Sequence, residues 1–385
     1  MNLTRLSELV RKVIIAIVAT FLIYITYRVA LIPMGKTLYA TLFPPKNLPT
    51  ALWGKLPPPE FIPQKISGSN TKYQLNTADG RLPRDLPDKM IVFRYKEIPF
   101  SYEAGKEASQ QAQLLGFSDA ELTTNLKGDV YQWRDSQTGS TLEIEINTKE
   151  IRKNTSFIGK SRYYVPGSIN KGSAVGIAEQ LFGDLGKLNG PLYPKGKQKV
   201  TLGKFQGDKI VEAKSVLEAQ IAKVDFFRTA IDFPVYGPNP KEGLLQAYVG
   251  KTSEGLIMNH PYVHAYYWEL EHKFDATYGI IPVSMAWDAV QNGKAVVANV
   301  TPEGKSPFEP YTTTYVDRIL VNDIYLAYYD SMEPQKYMQP IYVFDGNYIS
   351  SSGRGDITLY FPAVSGEYIE QPQTPQPRTG MGTSE

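Results

Sequence analysis

The feature that most constrains this chain is a run of twenty residues, 13–32, reading VIIAIVATFLIYITYRVALI and carrying one charge, Arg28. A helix rises about 1.5 Å per residue, so such a run reaches across roughly 30 Å of hydrocarbon. A helix lying on a globular core would show a polar face, and this run has none. Arg28 falls one turn from the end, where a long side chain snorkels to the interface. Arg11 and Lys12 close the other end, and Tyr24 and Tyr27 sit where interfacial aromatics are expected. The apolar core is longer than that of a signal peptide, and no small-x-small cleavage site follows it. The run therefore predicts an uncleaved transmembrane anchor. A large domain behind such an anchor is commonly translocated, which puts the N-terminus in the cytoplasm and the bulk outside the cell membrane.

Composition narrows what that bulk can be. The 385 residues carry 41 basic and 39 acidic side chains, a balance that argues against a nucleic-acid partner, which needs a clustered basic face. Cysteine is absent, which excludes a disulfide scaffold, a thiolate zinc site and a catalytic thiol. The 26 tyrosines suit half-buried strands, and 31 glycines with 28 prolines suit a chain of strands and turns.

The chain reads as a series of segments. Residues 1–12 form a cytoplasmic tail and 13–32 the transmembrane helix. Residues 33–66 are proline-rich (Pro44, Pro45, Pro49, Pro57, Pro58, Pro59, Pro63) and predict an extended, semi-rigid stalk. The end, 369–385, is rich in Gln, Thr, Pro and Gly and predicts disorder. Between them lie three units, 67–160, 161–275 and 276–368, each opening with a helix and continuing in antiparallel strands. The first has a helix over 102–115, capped by Ser101 and ended by Gly116, then strands over 130–134 and 141–147. The second has a helix over 174–185 behind Ser173 and strands over 198–205, 222–233, 243–249 and 262–270. The third has a short helix over 285–291, capped by Ser284 and stopped by Gly293, then strands over 318–329, 339–344 and 356–361. Helix-then-hairpin units without βαβ spacing predict an α+β class.

No local motif for catalysis is present: no GxSxG, HExxH, P-loop, dinucleotide glycine pattern or EF-hand loop. No cofactor and no catalytic or metal residue is expected, although a pair of distant carboxylates would leave no local trace. His260, His264 and His272 cluster in NHPYVHAYYWELEH. On a strand, His260 and His264 would face the same way about 13 Å apart, too far to share one ion. Arg354-Gly355-Asp356 spells an adhesion tripeptide in an expected hairpin turn, and Asn154-Thr155-Ser156 and Asn299-Val300-Thr301 fit the glycosylation sequon. Tyr262, Tyr266, Tyr267 and Trp268 form an aromatic stretch suited either to stacking on sugars or to filling a sheet core.

Residues 286–290 (AWDAV), Gly293, 324–329 (IYLAYY) and 339–346 (QPIYVFDG) resemble the C-terminal part of YycH/YycI-type regulatory proteins, and the first unit is similar to a PepSY-type α-β-β element. The segments LFPPKNLP and WGKLPPPEF also resemble uncharacterised membrane-anchored proteins of candidate-phyla bacteria. The resemblance implies a bitopic protein whose external α+β domain restrains a membrane partner, with no catalytic residue to carry over. The expected function is thus that of a non-enzymatic, single-pass protein that binds and regulates or scaffolds another envelope protein. The alternative is a surface module for glycan or peptidoglycan.

Overall fold

Alternating apolar and polar residues build most of this protein, and the computed structural model shows how they pair. It describes Tyr24 and residues 48–68, 71–99, 101–123, 129–188, 197–266, 269–271, 276–332 and 335–371. The expected anchor at 13–32, Tyr24 apart, and the tail 372–385 lie outside the described residues. Among those described, no helix is long and apolar enough to cross a membrane. The chain divides into two compact units, Met1–Leu48 and Pro49–Glu385. The described strands all belong to the second, a mixed α+β structure of many strands and few helices.

In chain order the elements begin with β1 (Ile66–Ser67), β2 (Lys72–Leu75), β3 (Lys89–Ile91) and β4 (Phe93–Arg94). Helix α1 (Ala104–Leu114) follows, then β5 (Val130–Asp135), β6 (Ser140–Glu145) and β7 (Ile151–Thr155). Next come helix α2 (Lys171–Asp184), β8 (Gln198–Gln206), β9 (Lys209–Glu212), β10 (Ile221–Phe226), β11 (Arg228–Ala230), β12 (Phe233–Tyr236) and β13 (Leu245–Gly250). A short helix, α3 (Leu256–Asn259), precedes β14 (Tyr262–Ala265) and β15 (Thr277–Gly279). Helix α4 (Val283–Gln291), β16 (Val296–Pro302), β17 (Thr314–Tyr315), β18 (Arg318–Tyr329), β19 (Tyr337–Ser350) and β20 (Gly353–Pro362) complete the chain.

Two eight-stranded sheets result. The first runs β5-β6-β7-β14-β13-β10-β8-β9 and is antiparallel throughout. The second runs β11-β12-β18-β19-β20-β16, with β2 added to β18 and β4 to β19. Strand pairing crosses the boundaries expected at 160 and 275. β7 pairs with β14, so residues 130–155 and 198–265 share one sheet, while β2, β4, β11 and β12 join the other. The run 222–233, read as one strand, breaks at Phe227, where the chain leaves the first sheet for the second.

Helices α1 and α2 cover one face of the first sheet. Ala108, Ala112, Ala174, Ala178, Leu181 and Phe182 pack on Trp133, Leu142, Val224, Ala247 and Val263 in one core. Asn170 caps α2 by accepting from the Ser173 amide at 2.9 Å, and the Ser173 hydroxyl accepts in return from the Asn170 amide at 3.1 Å. The expected cap Ser173 is thus the third helical residue of a capping box. Helix α4 plays the same part for the second sheet, burying Ala286, Trp287 and Val290 against Phe344 and Leu359. Its N-cap is Pro282 rather than Ser284.

Of the proline-rich segment 33–66, residues 33–47 lie outside the described residues; from Pro49 onward the chain lies against the body rather than standing off it. Leu56 is fully buried and bridges to Ile369, and the Trp53 indole donates to the Val92 carbonyl at 3.1 Å. Phe61 packs edge-on against Tyr329 at 4.8 Å. The Gln64 amide donates to Val297 O at 2.8 Å and its side chain accepts from the Val300 amide, which covers the free edge of β16. Three large apolar side chains, Trp53, Leu56 and Phe61, dock this way; each would contribute about 1.5–3 kcal/mol if fully buried, as Leu56 is. A chain starting at residue 49 is expected to fold cooperatively. One starting at 69 should lose about 3 kcal/mol or more, read as a lower urea midpoint. Equal midpoints would show that the segment is not part of the folded body.

Candidate functional site

Because side chains alternate along a strand, the face of the first sheet opposite α1 and α2 is set by the other half of the same strands. The registers line that half up in rows. One row crosses six strands from Gln132 through Glu143, Arg152, His264, Gln246 and Asp225; the next runs Arg134, Thr141, Asn154, Tyr262, Tyr248 and Lys223. Among the described residues α1 and α2 do not pack there, but the β8–β10–β13 end of the face is covered. Tyr164, Met258 of α3 and Phe308 pack about Ile221, Phe205 and Tyr248. Lys223, Asp225 and Gln246 are buried, so the face opens to solvent over β5, β6 and β7. The middle of the face is held by Glu150, whose side chain is 4% exposed. Its carboxylate accepts from Arg152 Nε at 2.7 Å and Nη2 at 2.6 Å, and lies 2.9 Å from His264 Nε2. Burial pushes Glu150 up, but the His264 and Arg152 hydrogen bonds outweigh it and hold its pKa below the usual carboxylate value. Arg152 also lies 3.8 Å from Glu143, and half of its side chain stays in solvent.

Aromatic rings continue this centre along β13 and β14. Tyr248 and Tyr262 have centroids 4.8 Å apart, and His264 lies 4.1 Å from Tyr266. Phe308, on the connection between β16 and β17, packs at 5.6 Å on Tyr248. It fits because residue 203 is glycine: a Cβ there would sit 2.9 Å from the Phe308 ring. Burial raises the pKa of Tyr262 to about 12, so its hydroxyl stays protonated across the physiological range.

A second charged group sits toward β10. Lys223, nearly buried, lies 3.8 Å from both Asp225 and Glu242, and Asp225 accepts the Gly243 amide at 3.1 Å. Burial raises the Asp225 pKa to about 6, against the pull of Lys223.

Of the four aromatic residues singled out by sequence, Tyr262 and Tyr266 join this face, while Tyr267 and Trp268 lie outside the described residues. Tyr266 is 5% exposed and packs into the core of the second sheet. Glu150, Arg152, Lys223, Asp225 and Tyr248 carry no local motif; only strand pairing over a hundred residues brings Arg152 beside His264. The two described histidines do not face the same way. Helix α3 and Pro261 interrupt the strand, so His260 lies on the helix side and His264 on the open side. Among the described residues no group of three or more His, Asp or Glu side chains could hold a metal ion.

The adhesion-like tripeptide lies inside β20 rather than at its turn, which is made by Ser351 and Ser352. Arg354 there forms a two-pronged ion pair with Glu303 at 2.7 and 3.1 Å. Asn299 is 2% exposed, closed to a glycosylating enzyme in the folded chain, whereas Asn154 is exposed.

No protein-family model and no curated protein matches this chain. Among solved structures it is similar to an uncharacterized protein from Eubacterium rectale ATCC 33656, with a TM-score of 0.41 and 11% identity over 72% of this chain and 85% of that one.

The raised Asp225 pKa has a stability consequence. In the unfolded chain Asp225 ionises near 3.9, whereas folded it keeps its proton to about 6. Folding stability from this group therefore falls as pH rises from about 4 to 6, by roughly 3 kcal/mol at most. Asp225→Asn should remove that slope and be at least as stable as wild type at pH 7.5. A variant whose stability falls as steeply with pH, measured by urea unfolding, would place the raised pKa elsewhere.

Proposed function

We propose that this chain is a non-enzymatic, single-pass envelope protein. Residues 13–32 anchor it in the cell membrane, the N-terminus is cytoplasmic, and an extracytoplasmic α+β body binds another envelope protein through the open face of its first sheet. The observation that carries this reading is that face itself: rows of charged, amide and aromatic side chains in register across six strands, covered by neither α1 nor α2. The face is buried toward β10 and β13 and open over β5, β6 and β7, where Arg152, Asn154 and Arg134 reach solvent. Charged groups arranged in opposed pairs with aromatics between them are what a protein partner recognises. The carboxylates Glu150 and Asp225 are already engaged by Arg152, His264 and Lys223, which suits binding better than acid–base work. The order of α1, β5 and β6 is that of the PepSY-type element, and it supports kinship with regulatory ectodomains of that kind.

Glycan or peptidoglycan binding through Tyr262, Tyr266, Tyr267 and Trp268 has less support. Stacking on a sugar needs a free ring face. Tyr266 is buried, and the Tyr262 ring leans on Tyr248.

A photo-crosslinking residue placed at Asn154 in the full chain, in native membranes, should capture one dominant protein. Charge reversal at Arg152 (Arg152→Glu) should cut that capture at least about tenfold, the cost of a misplaced charge at an interface. The same probe at Lys209, on the far edge strand, should not yield the adduct. Absence of an adduct, or one that ignores the Arg152 reversal, contradicts the proposal.

A further inference from the structure

The opposite side of the first sheet holds a second concave site, independent of the open face. A groove of about 560 Å³ runs between α1 and α2, its walls formed by Leu114, Ile177, Leu181 and Leu256, with three glutamine amides and Asp184 around it. His260 closes one end. The residue is 7% exposed, and its Nδ1 is buried without a hydrogen-bond partner.

Behind His260 lies a fully buried ammonium. Lys153 Nζ donates to Leu115 O at 2.9 Å and Ile257 O at 3.2 Å and rests 5.4 Å from the centre of the Phe117 ring. Among the described residues no carboxylate forms an ion pair with it, and the Asp135 charge, beyond ion-pair distance, only partly offsets its burial. A buried charge without a counter-ion is costly. The cost shows on both groups: burial lowers Lys153 to about 7, and burial together with the Lys153 charge lowers His260 to about 4.

The groove thus combines an aliphatic wall with an end where, among the described residues, two basic side chains have no carboxylate at ion-pair distance. We propose that it binds a short aliphatic monocarboxylate, with the carboxylate at His260 and the alkyl tail along Leu114, Ile177, Leu181 and Leu256. The volume lies in the range of small-molecule sites. The bound carboxylate would accept a hydrogen bond from His260 Nε2, since Nδ1 is closed to the groove, and would add to the Asp135 charge that acts on Lys153, so it binds best when His260 takes up a proton. Asp184, at the rim, opposes the anion and keeps the head at the His260 end.

The test is histidine-labelled full chain in nanodiscs, with the His260 signal assigned through His260→Gln. Octanoate should move the His260 titration midpoint saturably upward from about 4 toward its ordinary value near 6.5. Octan-1-ol should occupy the same groove without that shift, and acetate should bind far more weakly for lack of a tail. His260→Gln should weaken octanoate about ten- to a hundredfold, as expected for a charged hydrogen bond. Asp184→Asn should tighten it. Acetyl-Leu-Leu, run in parallel, distinguishes a peptide C-terminus from a free acid as the source of the carboxylate: the tighter binder names the source. An unmoved His260 signal at saturating octanoate, or an equal shift with octanol, overturns the proposal.

Discussion

The second unit depends on one ion pair placed where its sheets meet. Arg228, the first residue of β11, and Asp330, just past β18, are paired with both side chains at 0% exposure. Tyr95, just past β4, donates its hydroxyl to the other Asp330 oxygen at 2.6 Å. Three segments far apart in sequence thus converge on one carboxylate. The chain passes between the sheets beside it, at Phe227 and again through residues 237–244. Such a pair is not in itself a source of stability, since desolvation offsets most of the attraction. Its weight lies in what its loss would leave: a buried charge without its counter-ion at the junction of two sheets, with Asp330 held by the Tyr95 hydroxyl.

The crossings carry the same logic outward. Lys241 and Glu242, adjacent on the second crossing, reach opposite ways, to Asp345 of the second sheet at 3.7 Å and to Lys223 of the first at 3.8 Å. Gly243 lies so close to β10 that a Cβ would sit 2.5 Å from Phe226 O. The open face of the first sheet is therefore built directly onto the junction. Asp225, Lys223 and Gln246, buried at that end, owe their positions to it, and the solvent-exposed Arg134, Arg152 and Asn154 lie farther along the same rows.

Helices and hairpins were legible because their cause is local. Alanine spacing and Gly116 mark α1, Asp135 to Gly139 marks the β5–β6 turn, and Leu142 and Ile144 alternate with Thr141 and Glu143. The strand expected over 318–329 is found with those bounds. What failed to show was long-range. Prolines at 57–59 read as a stalk because their backbone is extended, and nothing local tells that Leu56 and Phe61 dock. A single apolar run at 222–233 conceals a change of sheet, since both halves are buried and both are strand. The site suffers most. Tyr262 and Tyr266 stood out by composition, but Arg152, Glu150 and Asp225 look like ordinary surface charges until pairing puts them side by side.

The central claim is that the two sheets form one cooperative body locked at Arg228 and Asp330. Native-state hydrogen exchange, followed by mass spectrometry on β7, β10 and β14 of the first sheet and β18 and β19 of the second, tests it directly. The account predicts one shared opening free energy for both sheets, lowered in both by about 3–5 kcal/mol in Arg228→Ala, the usual effect of removing one partner of a buried pair. Two separate opening free energies in wild type, with Arg228→Ala lowering only one sheet, would contradict it.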